Sequence, residues 1–142
     1  KYKNKGQILV VDFNPEIIES LKAQKIPSMY GDVSNIEILK RINFRHVKVV
    51  VSTVASEKDN FVLLEYLKEI RCPALLVFTA KTSEEGLALY DAGADYVIVP
   101  AVKSGEIISG FLNKYLGNPH AIAKLKQGQI RTLRESLGEN KH

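Results

Sequence analysis

Strand-like and helix-like segments alternate along the whole of this 142-residue chain, and that alternation restricts the fold more than any other property of the sequence. Antiparallel strands can be joined by a two-residue turn, whereas parallel strands need a crossover, usually a helix. A strand–helix–strand repeat therefore predicts an α/β fold, a parallel sheet with helices on both faces. The short apolar runs that read as strands are residues 8–12, 28–30, 47–52, 74–79 and 96–99. The run at 47–52 is continuously apolar up to Ser52 apart from Lys48, which predicts a central strand buried on both faces.

The helices between them are announced by their ends. Asn14 is placed to cap a helix with Pro15 at its first position, and Ile17, Ile18 and Leu21 line one face. Ser34 and Glu37 have capping-box spacing for a short helix through Ile42. Ser56 and Asp59 open a helix to about Ile70, with Phe61, Leu64, Leu67 and Ile70 as its buried stripe. Thr82 and Glu85 form another capping box, and Gly93 ends that helix as a left-handed cap. Pro100 is expected to stop the fifth strand, and Ser104 to start a helix ending at Gly117. Asn118 and Pro119 begin a last helical segment running to about Leu137, with Ile122, Leu125, Ile130, Leu133 and Leu137 on one face and Gly128 weakening its middle. No strand follows that segment, so nothing requires it as a crossover. It reads as an interaction helix, which gives two regions, 8–117 and 118–142.

Charge and composition exclude several classes. The longest apolar run falls far short of the ~20 residues that a membrane helix needs, so direct membrane insertion is not expected. The net charge of +4 lies in the ends: Lys1, Lys3 and Lys5 at the front, and Lys124, Lys126, Arg131, Arg134 and Lys141 at the back. The intervening body carries more acids than bases, without the basic stripe of a nucleic-acid binder, so no nucleic-acid partner is expected. The single cysteine, Cys72, cannot form an internal disulfide, which suits a reducing compartment, and it reads as a small apolar residue before Pro73. The chain begins at Lys1, without a signal peptide, and reads as a piece of a longer polypeptide.

The run Ile8-Leu9-Val10-Val11 closes on a carboxylate, Asp12. In dinucleotide-binding sheets the second strand ends in this way, and its acid bonds the ribose about 20 residues after a G-x-G-x-x-G turn. Only residues 1–7 precede this strand, and they hold a single glycine. Two readings follow: a nucleotide-binding domain lacking its phosphate loop, or a different α/β fold.

With the strands placed, three stretches stand in order. They are Tyr30-Gly31-Asp32-Val33; Val50-Val51-Ser52-Thr53 with Asp59-Asn60 in the helix after it; and the run from Leu89 through Tyr90-Asp91-Ala92-Gly93-Ala94-Asp95-Tyr96-Val97-Ile98-Val99 to Pro100. Together they resemble the TrkA-N domain, also called the RCK domain (regulator of potassium conductance), in particular the version at the C-terminus of Kef-type cation/proton antiporters. The resemblance covers roughly residues 8 to 117. It implies a Rossmann-like sheet and a cytosolic, non-catalytic regulatory module on the cytoplasmic face of the membrane. Such a module binds NAD(H) or an adenine nucleotide, acts on a membrane transporter or channel domain of its parent chain, and forms a homodimer.

Carried over by position, the resemblance implies that Asp12 holds the adenosine ribose, with Phe13 and Asn14 beside it. Gly31, Asp32 and Val33 flank the adenine, and Asp32 accepts from its amino group. Ser52 and Thr53 lie near the pyrophosphate or second ribose, and Asn60 is a further candidate. All of these follow strand ends, where open α/β sheets bind their ligands. Gly31 would also leave room for an approaching ring. The family's first strand, glycine loop and first helix have no counterpart here, and that loop binds the phosphates through backbone N–H groups. The parent is therefore expected to bind nucleotide, and this fragment weakly or not at all.

Other readings stay open at this point. Residues 8–15, Phe78-Thr79-Ala80 and Gly93-Ala94-Asp95 also resemble a response-regulator receiver. Phe13, Ser52 and Val99 stand where that family needs two acids and a lysine, which argues against phosphotransfer. A Rossmann-type oxidoreductase lacks support, because His46, His120 and His142 are scattered and no lysine–tyrosine or cysteine–histidine pair stands out. A dimerisation module that has lost nucleotide binding is the third. Removing the first strand from the order 3-2-1-4-5-6 and closing the gap gives the flavodoxin-like order 2-1-3-4-5. Five strands are thus expected either closed, with residues 8–12 against 47–52, or with an open slot filled by another chain, since a bare slot would expose unpaired backbone.

Overall fold

The computed structural model describes residues 8–115 and 119–136. Its elements are β1 (Val10–Asp12), α1 (Pro15–Ala23), β2 (Ser28–Tyr30), α2 (Ile36–Leu39), a 3-10 turn at Phe44–His46, β3 (Val49–Ser52), α3 (Glu57–Glu69), β4 (Leu75–Thr79), α4 (Ser83–Ala92), β5 (Tyr96–Ile98), α5 (Pro100–Tyr115) and α6 (Pro119–Ser136). Every strand pair is parallel, as the alternation predicts. The chain divides into two compact units, one up to Pro100 and one from Ala101. Among the described residues no helix is long and apolar enough to cross a membrane.

The local chemistry of the caps explains where most helices begin. Asn14 accepts from the Glu16 N–H with Pro15 in the first turn, Ser56 accepts from Asp59, and Thr82 accepts from Glu85. Gly93 adopts φ 107°, a left-handed cap, and Lys68 donates to the adjoining Ala92 carbonyl at 2.6 Å. Two starts differ from expectation. α2 is capped by Asn35, because the Ser34 N–H is taken by the Asp32 carboxylate at 2.8 Å. α5 starts at Pro100 and not at Ser104: proline ends the strand and is also favoured in a helix's first turn. Its expected end at Gly117, the Asn118 start and Leu137 lie outside the described residues.

The strands form two sheets, β1-β2 and β3-β4-β5. β1 and β3 do not pair, so closure to the flavodoxin-like order does not occur. Leu39 and Phe44, buried in the main core, anchor the chain after β2. In register, Val10, Val11 and Asp12 face Ser28, Met29 and Tyr30, while Ser52 faces Phe78 and Phe78 faces Val97.

The main core lies between one face of β3-β4-β5 and helices α3 and α4. Leu76, Phe78 and Val97 from the sheet meet Leu63, Leu64, Leu67 and Leu89 from the helices. Leu63 takes the place expected of Ile70, which is exposed at the helix end. The other sheet face is much less covered. Val51 is 59% exposed, and Val49, Leu75 and Tyr96 are exposed with it, so β3 is buried on one face only. A run of apolar side chains records that burial is favourable, but it does not supply the element that would cover the second face. The outer edge at β5 is treated differently: the Tyr90 hydroxyl accepts from the Val97 N–H at 3.0 Å and occupies an edge donor.

In the second unit, α5 leaves Val102, Ile107, Ile108, Phe111 and Leu112 exposed, and α6 leaves Ile122, Leu125 and Leu133 exposed.

Candidate functional site

The ends of β1 and β2 bring the first group of expected residues together. The Gly31 N–H donates to the Asp12 carbonyl at 3.0 Å, which extends the ladder past Tyr30 and sets Asp32 beyond the neighbouring strand's end. The half-buried Asp12 carboxylate accepts from the Asn14 N–H at 2.7 Å. A carboxylate has roughly four lone-pair sites, so one such bond leaves capacity for ligand hydroxyls. Phe13 is 70% exposed between Asp12 and the cap residue. Asn14 is committed to capping α1.

Asp32 is exposed, and its carboxylate is held below the usual range by hydrogen bonds from Ser34, backbone first and then side chain. Its anion is therefore the resting form at neutral pH. A folded-state pKa below the unfolded one gives stability above the ordinary carboxylate pKa, which is lost as pH falls through the folded value.

Gly31 is buried, and the cause is local. A Cβ built there would lie 2.6 Å from Ile38 Cγ2 and 3.1 Å from its Cδ1. The side chain excluded at position 31 is thus excluded by Ile38 of α2, without any ligand. Gly31→Ala is expected to cost about 1–3 kcal/mol through overpacking, read as a drop in the urea midpoint. Unchanged stability would show that Ile38 yields and that the glycine serves another purpose. Val33, next along, is half-buried and packs on the main core.

The second group sits on the other sheet, after β3. Ser52 and Asn60 are 4% and 2% exposed, the two buried polar residues of the described chain. Ser52 Oγ donates to Asn60 Oδ1 at 2.6 Å. Asn60 Nδ2 donates to the Val54 carbonyl at 3.0 Å and to the Thr79 carbonyl at 3.2 Å. The Val54 N–H lies 3.4 Å from Ser52 Oγ. Both amide protons of Asn60 and the hydroxyl proton of Ser52 are therefore engaged inward. Thr53 between them is exposed.

Of the expected residues, those left with polar groups exposed or half-exposed and not committed to a cap are thus Asp12, Asp32 and Thr53, with Phe13 as an apolar surface beside them. These suit the adenosine half of a nucleotide: carboxylates for ribose hydroxyls and an amino group, and an aromatic ring for stacking. Among the described residues no glycine-rich strand-to-helix turn offers clustered N–H groups to phosphates, and no group of three metal-ligating side chains occurs. The carbonyls of Val54 and Thr79, gathered by Asn60, had no sequence signal. The Asn60–Thr79 link spans 19 residues and exists only once β3 and β4 are paired.

Comparisons with known proteins agree with this architecture. The family model described as the TrkA-N domain matches residues 1–100. The TrkA-N domain of the inner membrane protein ybaL from Escherichia coli is similar at 13% identity and TM-score 0.68, over 75% of this chain and 78% of that one. The NAD(P)-binding domain of an exopolyphosphatase-related protein from Archaeoglobus fulgidus gives 18% identity and TM-score 0.68, over 78% and 82%. The GsuK channel bound to NAD gives 22% identity and TM-score 0.56, over 65% of this chain and 16% of that one, and GsuK has also been solved bound to ADP. A search of curated protein sequences gives no match.

Proposed function

The chain belongs to the TrkA-N domain family, and from that premise we propose that it is a nucleotide-sensing regulatory domain of a potassium or other cation transport system. The observation that carries the reading is the pair of carboxylates, Asp12 and Asp32, at the ends of adjacent parallel strands and joined through the Gly31–Asp12 hydrogen bond. The GsuK complexes with NAD and ADP, at the level of a shared fold, make an adenine nucleotide the ligand class to test.

Under this reading Asp12 takes the ribose hydroxyls and Phe13 lies beside the nucleoside. Asp32 accepts from the adenine amino group, with Gly31 and Val33 as the floor. Thr53 reaches the pyrophosphate or second ribose. The role is regulatory: no residue here is assigned to bond making or breaking. Binding changes how two such domains meet, and the dimer biases an attached membrane transporter on its cytoplasmic face. A ligand shifts that equilibrium only by its differential affinity for the two arrangements.

The exposed apolar residues of α5 and α6 favour a homodimer through the second unit. Mass measurement in solution is expected to give a dimer for the whole chain and a monomer once residues 118–142 are removed.

The nucleotide reading is tested by calorimetric titration of NADH, NAD, ADP and AMP into this chain and, where it differs, into the natural polypeptide. Saturable binding to the natural polypeptide is the expected outcome. Absence of binding to both by all four would leave a protein-interaction module that keeps the fold without the ligand.

A further inference from the structure

The buried pair Ser52–Asn60 does more than fill the core, because of what the Asn60 amide holds. Its two protons go to carbonyls on different segments: Val54, in the loop between β3 and α3, and Thr79, the last residue of β4. Its oxygen receives the Ser52 hydroxyl at the end of β3. One side chain thus holds two backbone carbonyls and one side-chain hydroxyl at the carboxyl ends of two adjacent strands. A primary amide is the smallest side-chain group that can donate twice and accept at once. Alanine there would leave two part-buried carbonyls and a buried serine hydroxyl without these partners.

The consequence falls on Thr53. It stands between Ser52 and Val54, both tied inward, and is itself exposed. With both neighbours tied inward, the Thr53 backbone is held in place beyond the strand ends. We infer that Asn60 is a positioning residue for nucleotide recognition: it touches no ligand, and it holds the loop after β3 in the arrangement that binds. The inference rests on the nucleotide reading above and adds a residue that acts through others. A loop left free would have to be ordered by the ligand, and that ordering is subtracted from affinity.

The test compares Asn60→Ala with Val97→Ala, a core variant on β5 that lowers stability without touching the loop. Both are made in the natural polypeptide that carries this chain. NADH is titrated by its fluorescence and ADP by calorimetry, well below each variant's thermal midpoint. Asn60→Ala is expected to raise Kd tenfold or more for both probes, and Val97→Ala to leave Kd within about twofold at a comparable loss of midpoint. Should Asn60→Ala not fold, Asn60→Ser keeps one hydroxyl donor in place of the two amide protons and is expected to weaken binding severalfold. If the Asn60 variant binds both probes as tightly as the unaltered protein, the positioning role is wrong while the nucleotide reading stands. If the unaltered protein binds neither probe, the nucleotide reading falls and this inference with it.

Discussion

Phe78→Ala is expected to destabilise the chain by about 3–5 kcal/mol, measured as a fall in the urea unfolding midpoint. Phe78 is fully buried on the central strand β4, in register with Ser52 on one side and Val97 on the other. Its ring fills the layer between the sheet and helices α3 and α4, where Leu63, Leu64, Leu67 and Leu89 also converge. Truncation removes the transfer gain of the ring and leaves a cavity that the flanking leucines can close only in part. Domain stabilities run to about 5–15 kcal/mol, so this one change is expected to unfold a visible fraction of the chain at ambient temperature. The matched control lies on the opposite face. Val51→Ala, at a half-exposed position on neighbouring β3, is expected to cost less than about 1 kcal/mol. Equal losses from the two variants would show that the second sheet face is covered in solution.

The second large effect concerns the ligand. Asp12→Asn keeps an oxygen to accept from the Asn14 N–H, so the turn into α1 survives, but it removes the charge. Hydrogen bonds to a charged group contribute about 1.5–3 kcal/mol, which corresponds to roughly tenfold to a hundredfold in affinity. Nucleotide affinity of the natural polypeptide is therefore expected to drop by that factor while the thermal midpoint moves little. A variant that binds NADH as tightly as the original would remove Asp12 from the site and shift attention to Asp32. Asp32→Asn is the companion measurement. The Asp32 carboxylate is held low by Ser34, so its contribution is expected to persist through neutral pH and to fade only as the solution is acidified below the ordinary carboxylate range.

What the sequence discloses and what it conceals divide along the range of the interaction. Asn14, Ser56, Thr82 and Gly93 were readable because a cap is chemistry between residues two to four apart. Ser34 misled for the same local reason: Asp32 competes for its N–H and hands the cap to Asn35. The apolar run in β3 identified a strand but not its surroundings, since two-sided burial depends on what packs above. The largest shortfall is at Ser52 and Asn60. The family resemblance implied ligand contacts for both, whereas folding turns both side chains inward, Ser52 to Asn60 and Asn60 to backbone carbonyls. Likewise the packing of Gly31 on Ile38, and the cover that Tyr90 gives to Val97, need coordinates to be seen.

The uneven distribution of the core has a bearing on how occupancy is read out. Residues 8–30 supply one fully buried apolar side chain, Ile18, and it lies outside the main cluster, which draws its members from Leu39 onward. β1 pairs with β2 and not with β3, so no strand ladder ties this first piece to the three-stranded sheet. Asp12 belongs to this first piece, Asp32 to the segment that follows it, and Thr53 to the end of β3. On the proposed function, a nucleotide that reaches all three would act as a removable fastener between the two sheets. At a hundredfold excess over Kd, such a fastener adds about 2.7 kcal/mol to whatever holds them together already. Trypsin offers a simple gauge: Lys25, exposed in the turn before β2 at φ 58°, is expected to be cut more slowly when nucleotide is bound. On this view the quantity transmitted onward is the tightness of the domain, with little change in its shape.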